Sequence, residues 1–280
     1  MRSPVSIGLL LLSGVSALAC ERAEVASGAT VPAVSQAAAS DPVFDAPAAH
    51  ELLRFVNQAR AQAGLESLVL NETLSRAAEA HGREMLERGQ LSHQFPGEPE
   101  LFVRLGRGGT HFNRAGENVA FDYSVEHAHQ ALMASADHRK NLLDPSFNAV
   151  GIAVVWVRCQ MYVVQDFAHQ LPTYEAGQAE DLIAEKVATL RTQTRLPRLN
   201  RLKNPNLSGA CSSGKAKPNR AALSSARYIL SYSNAEPQAL PPGAGNVIGN
   251  GQMKDFSVGA CYARTEKNPN GAYFVTMTFY

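Results

Sequence analysis

The sequence predicts an α+β fold in which helices lie on the faces of a sheet. Three observations carry that expectation. Apolar residues recur at helical steps in three separate segments. A β-branched, nearly continuous apolar run from Ala149 to Val157 follows them and reads as a buried strand, with Met161 to Phe167 as its antiparallel partner across a short turn. Cap residues and glycines separate the segments. At 280 residues the chain exceeds a usual single domain of roughly 100–200, so it holds one domain plus further material or two small ones. A content of 45% hydrophobic and 18% charged residues supports a real core. The formal net charge of +1 gives no reason to expect nucleic acid or an anionic membrane as partner.

Arg2 precedes an apolar run from Val5 to Leu18 that ends in Ala17-Leu18-Ala19-Cys20. A positive start, a run too short to span a membrane comfortably and an A-x-A exit read as a secretory signal over residues 1–19. The exit also resembles a bacterial lipobox with Cys20 as the lipidated first residue, although Ala17 and Leu18 stand in reversed order. Simple cleavage after Ala19 is the other reading. Both imply export to a periplasmic or extracellular location, and a membrane is met only through an acylated Cys20. Residues 20–47, rich in Ala, Ser, Val and Pro without a period, read as a flexible tether.

Order is expected from near His50. Leu52, Val56, Ala59 and Ala63 mark one face of a helix that stops at Gly64. Leu65, Leu68 and Leu70 lead to Asn71, an N-cap for a second helix whose stripe Leu74, Ala78, His81 and Met85 ends near Gly89. His81, on that stripe, reads as a satisfied core histidine rather than a ligand. Gln90 to Asn118, with Pro96, Gly97, Pro99 and Gly106 to Gly109, reads as a long loop. Loops of that length inside a compact domain are functional or disordered, and this one carries His93, His111 and Glu117. Ser124 caps a third helix with Glu126 in its first turn and Ala128, Ala131, Leu132 and Ser135 along one face.

The second half echoes the first. Val56 to Leu65 can be laid over Val187 to Leu196 without a gap, which brings Leu68 onto Leu199. After a two-residue insertion Leu74-Ser75 falls on Leu207-Ser208, Val150-Gly151 resembles Val258-Gly259, and Met161 to Phe167 resembles Tyr273 to Phe279. The segment 179–280 therefore reads as a shortened, degenerate copy of residues 48–172, or else as an unrelated small domain. No histidine follows His169, so the chemistry is expected before residue 170. In the repeat, Cys211 matches Ala78 on the second helix and Cys261 matches Ala153 on the strand. Those elements pack together, which favours a Cys211–Cys261 disulfide in an exported chain. Cys159, inside the strand pair, reads as a buried small hydrophobe rather than a nucleophile.

Three short words hold the polar residues of the middle: Leu91-Ser92-His93, Ala115-Gly116-Glu117-Asn118, and Ser135-Ala136-Asp137-His138-Arg139-Lys140-Asn141. Two imidazoles and a carboxylate suit a divalent cation such as zinc, with His93 and His138 as ligands, or a general acid and base, with Glu117 as the candidate base. Ser135 with His138 and Glu117 does not make a serine hydrolase, since no Gly-x-Ser-x-Gly elbow surrounds Ser135. Asn118 reads as a backbone-bonding residue that holds the loop.

In this order, with Leu53 to Arg60, Gly64-Leu65, Asn141-Leu142-Leu143 and Val150 to Val154, these words resemble the CAP superfamily, in its bacterial SCP-like branch. The family comprises cysteine-rich secretory proteins, insect venom antigens and plant pathogenesis-related proteins. The resemblance covers about His50 to Gln170. It implies an α-β-α sandwich with a cleft lined by two histidines and two acids; the second half adds a smaller C-terminal domain. His93 and His138 match the histidines and Glu117 one acid. Ser135 stands where the second acid belongs and Leu132 where the family usually has tryptophan, so a strong metal site is less expected. His111 and Asp137 are the candidate substitutes. No single activity follows from membership, and the leading expectation is a non-enzymatic or weakly catalytic module whose cleft takes a divalent cation or small ligand. The alternatives are a metal-assisted hydrolase of peptide or envelope material, and a lipid-binding or interaction module with a structural cluster at the same residues.

Overall fold

The computed structural model describes residues 42–204, 207 and 225–280. The signal and lipidation readings, Cys20 and Cys211 lie outside them. Among the described residues no helix is long and apolar enough to cross a membrane.

Regular structure begins earlier than His50. Phe44 bridges Val155, and Asp45 accepts both Ala48 N–H, at the start of helix α1 (Ala46–Gln62), and the Trp156 indole N–H at 2.8 Å. Strand β1 (Val69–Leu70) leads into α2 (Glu72–Arg88), capped by the Asn71 side chain on Thr73 and Leu74 N–H and ended by Gly89 at φ 60°. Both caps follow from local chemistry: an amide oxygen for the orphan N–H groups, and a residue without Cβ for the left-handed exit.

The stretch from Gln90 to Asn118 is not one loop. It contains α3 (Leu101–Arg107) and most of β2 (Phe112–Asp122), an 11-residue strand. Nor is the next helix continuous: α4 (Val125–Ala134) stops at Ser135, extended at ψ 127°, and α5 (Ala136–Leu142) restarts after it. Ser135 therefore sits at a break and not on the face of Ala128 and Leu132. Strands β3 (Ala149–Val157) and β4 (Gln160–Gln170) form the expected hairpin. Cys159 is exposed in its turn rather than buried, because the strands end just before it; it is not a free thiol.

The first sheet runs β1-β3-β4-β2, so β2 is an edge strand. Along β3, Val150, Ile152 and Val154 pack with Leu52, Val56, Ala128 and Leu132 of α1 and α4. Ala153 and Val155 pack with Ala78 and Met85 of α2 on the other face. This period-two division makes the α-β-α sandwich.

A second, smaller sheet follows α6 (Ala176–Gln193). Strands β5 (Asn200–Arg201), β6 (Tyr228–Asn234), β7 (Asp255–Thr265) and β8 (Asn268–Phe279), with α7 (Ala244–Ile248), form it in the order β5-β7-β8-β6. That is the order of the first sheet, with the same parallel and antiparallel pairs. The likeness extends to side chains. Arg60 is fully buried and donates to the carbonyls of Glu66, Leu142, Asp144 and Phe147; Arg191 donates to those of Pro197, Ile248, Asn250 and Met253.

One detail of the sequence match shifts. With Phe167 laid on Phe279, the ladder puts Val150 on Phe256, so the Val258-Gly259 match stands two residues out of step. A shift of two keeps every side chain on its own face, and Gly259 abuts Leu207 as Gly151 abuts Leu74.

Candidate functional site

The word Gly116-Glu117-Asn118 is split by the strand period. Gly116 and Asn118 face α5. A Cβ at Gly116 would press on Asn141 Oδ1 at 3.0 Å and Phe147 Cζ at 3.1 Å. Asn118 donates to the His138 carbonyl at 3.2 Å and accepts from Asn141 Nδ2 at 3.0 Å, while Asn141 also donates to the Glu117 carbonyl at 3.0 Å. Asn118 thus does hold backbone, though as a strand residue fastening α5 rather than as part of a loop.

Glu117 points to the opposite face, under α2 and α3. Its carboxylate is 4% exposed. Oε2 accepts from Arg104 Nη2 at 2.5 Å and Oε1 meets His93 Nδ1 at 2.9 Å. Arg104, from α3, also donates through Nη1 to Glu98 Oε1 at 2.7 Å. The same Glu98 oxygen takes His81 Nδ1 at 2.6 Å, and its other oxygen takes Phe95 N–H at 3.1 Å. His81 Nε2 lies 2.8 Å from the Ser92 carbonyl, so both ring nitrogens face acceptors. The reading of His81 as a satisfied core histidine is correct. Its polar partners are members of the cluster.

Asp166 completes the group from β4, where it is the ladder partner of Glu117. It is entirely enclosed, and burial, then the Glu117 charge beside it, pushes its carboxyl well above the ordinary carboxylate range. Burial thus favours the protonated form of Asp166, which hydrogen-bonds to Glu117. Arg104 then bridges the two carboxylates, Glu98 and Glu117, and His81 adds a second partner to Glu98. Burial works to raise Glu98, but hydrogen bonds from Arg104 and His81 outweigh it and hold the group below its usual value.

His93 and His138 form the outer edge. The His93 side chain is 56% exposed, and its bond to Glu117 raises its pKa against the opposing effect of burial. His138 comes from α5, on the other side of edge strand β2, and its ring centroid is 6.4 Å from that of His93. Burial, then the neighbouring His93 charge, lowers its pKa. Ser135 N-caps α5 without a side-chain bond.

The two substitutes for the missing acid do not take its place. His111 is buried just before the start of β2, with Nδ1 3.1 Å from the Pro172 carbonyl and its ring edge-on to Tyr262 at 4.9 Å. Asp137 is exposed in the first turn of α5. Among the described residues no three His, Cys, Asp or Glu side chains are grouped so as to hold a metal ion. His93 and His138, the expected zinc ligands, lie with ring centroids 6.4 Å apart, and Glu117 is turned to Arg104 and His93.

Arg104, Glu98 and Asp166 escaped the sequence reading. The signal was present: Arg104 interrupts Leu101-Phe102-Val103-Leu105, and Asp166 interrupts the apolar run of β4. A charge inside an apolar run demands a buried partner.

The family model of the cysteine-rich secretory protein family, CAP, matches residues 53–167. Residues 53–167 are a CAP domain. This domain resembles bacterial ones: it is 33% identical over 106 residues to the uncharacterized protein YkwD of Bacillus subtilis, covering 38% of this chain and 41% of that one. It is 30% identical over 105 residues to the uncharacterized membrane protein YlbC of the same organism, covering 37% and 30%. The chain spans less than half the length of these curated relatives. Among solved structures, an extracellular SCP-domain protein of Bacillus anthracis matches with 28% identity and a TM-score of 0.41, over 44% of this chain and 40% of that one.

Proposed function

We propose that this chain is an exported, non-enzymatic CAP module in which Glu117 anchors a structural ion cluster. On this reading recognition of a lipid, small molecule or envelope component lies outside the cluster. One observation carries it: both oxygens of Glu117 and both of Glu98 already have partners within the protein. A general base needs a free lone pair within reach of a bound water, and a metal site needs an open ligand set. Glu117 is instead closed from solvent and turned to Arg104 and His93. The cluster ties the segment from Ser92 to Arg104 onto the sheet.

Export rests on the signal-like residues 1–19. The segment 179–280 is a degenerate CAP copy that kept the arginine anchor of Arg191 and has no histidine with which to rebuild the site. A Cys211–Cys261 disulfide is the covalent brace of that copy.

The rival reading places a divalent cation at His93 and His138. Calorimetric titration of the purified chain with zinc, beside the His93→Ala/His138→Ala double variant, separates the two. The structural reading expects no specific heat from either protein. Micromolar binding lost in the double variant would overturn it and reopen the hydrolase.

A further inference from the structure

The β7–β8 hairpin of the second half reaches over the end of α3. Arg264 on β7 donates through Nη1 to the carbonyls of Gly106 at 2.9 Å and Thr110 at 3.3 Å, and through Nη2 to that of Gly109. It also holds its own hairpin, at the Pro269 carbonyl, 3.1 Å away. Next to it Asn270 Nδ2 donates to the Phe112 carbonyl at 2.5 Å. The fit is close: a Cβ at Gly106 would strike the Pro269 backbone at 2.5 Å.

These carbonyls belong to the last turn of α3 and the chain leaving it. Helix ends leave such groups without intrahelical partners and carry partial negative charge, so a guanidinium there is favourable on both counts. α3 is only seven residues long and has no side-chain N-cap bond. A helix this short has little stability of its own and depends on tertiary contacts. Yet it carries Arg104, the cation that joins Glu98 to Glu117.

We propose that Arg264 caps α3 from the second half of the chain and thereby positions Arg104 in the Glu98–Glu117 cluster. The degenerate copy, without a histidine site, serves as the clamp of the first copy's site. Arg264 is a positioning residue, because it touches none of the cluster's side chains and acts through α3. This inference rests on the cluster being the structural centre of the CAP domain, but its test reads α3 directly and does not depend on what the cluster binds.

The test is hydrogen exchange of the full chain, comparing Arg264→Met and Arg264→Lys with the parent. The α3 amides of Val103 and Arg104, which bond to the Glu100 carbonyl, are expected to exchange at least about tenfold faster in Arg264→Met, while β3 and β4 keep their rates. Arg264→Lys keeps the charge and three donors, so it should restore most of the protection. If Arg264→Met does not fold, Arg264→Gln takes its place, with the same selective loss in smaller degree. Unchanged α3 exchange in a folded variant, or equal acceleration throughout the chain, would overturn the proposal.

Discussion

Arg60 and Arg191 make the same bonds in two successive copies: each fully enclosed guanidinium draws together four backbone carbonyls, one just past its own helix and three from the segment entering the third strand. Neither has a carboxylate among these partners. The charge is met by carbonyl dipoles, which is why it can sit between α1 and the Leu142–Phe147 turn in one case and between α6 and α7 in the other.

Replacing Arg60 by Met should cost on the order of 3–5 kcal/mol, since four acceptors lose a charged donor in a site closed to water. Arg191→Met should do the same to the second half. The two arginines share no partner, so the losses should add in the double variant. Urea unfolding of the three variants measures this, and marked non-additivity would show that the copies are energetically coupled.

Asp166→Asn should be tolerated, whereas Asp166→Ala should not. The folded carboxyl is raised above its unfolded value, so its contribution to stability is full below the unfolded pKa and is lost as pH rises through the folded one. Asparagine keeps the donor to Glu117 and does not ionise. Its stability should therefore exceed the parent's at neutral pH and fall less between pH 4 and 7, about the window that opens at the ordinary aspartate pKa. Unfolding free energies across that range decide it.

His129 predicts the opposite slope. Its Nδ1 is buried without a partner, its ring stacks on Phe55 at 5.6 Å, and burial lowers its pKa. The folded state resists the proton that the unfolded state accepts near pH 6.5. Stability from this group is intact above that pH and falls as the solution is acidified towards the folded value. His129→Leu should flatten the acid limb of a stability-pH curve. An unchanged limb would assign the slope to other groups, of which His111, also lowered by burial, is the first to examine.

Much of the scaffold was legible because its signals are local. Asn71 and Gly89 bound α2 by their own chemistry, and the β-branched run of β3 needs no partner to be recognised. Edge strand β2 was not legible. Its burial alternates imperfectly, and its centre, Gly116-Glu117-Asn118, is poor strand sequence whose three residues are fixed by Asn141, Arg104 and His138. The helix break at Ser135 is tertiary too, imposed where α5 turns back to offer His138 to Asn118. For the site, the histidines and Glu117 could be named from their words, but not that Glu117 faces inward. That orientation follows from Arg104 and Asp166, which lie 13 and 49 residues away in sequence and meet Glu117 only across the folded sheet.

On the proposed reading Glu117 holds the domain together. The direct measurement is the unfolding free energy of Glu117→Gln against the parent, with Ser135→Ala as control. Glutamine keeps the shape but leaves Arg104 with a single carboxylate in a closed site, so a loss of about 3–5 kcal/mol is expected while Ser135→Ala changes little. Parent-like stability in Glu117→Gln would contradict the account, and Glu117 would then be a residue held ready for a ligand.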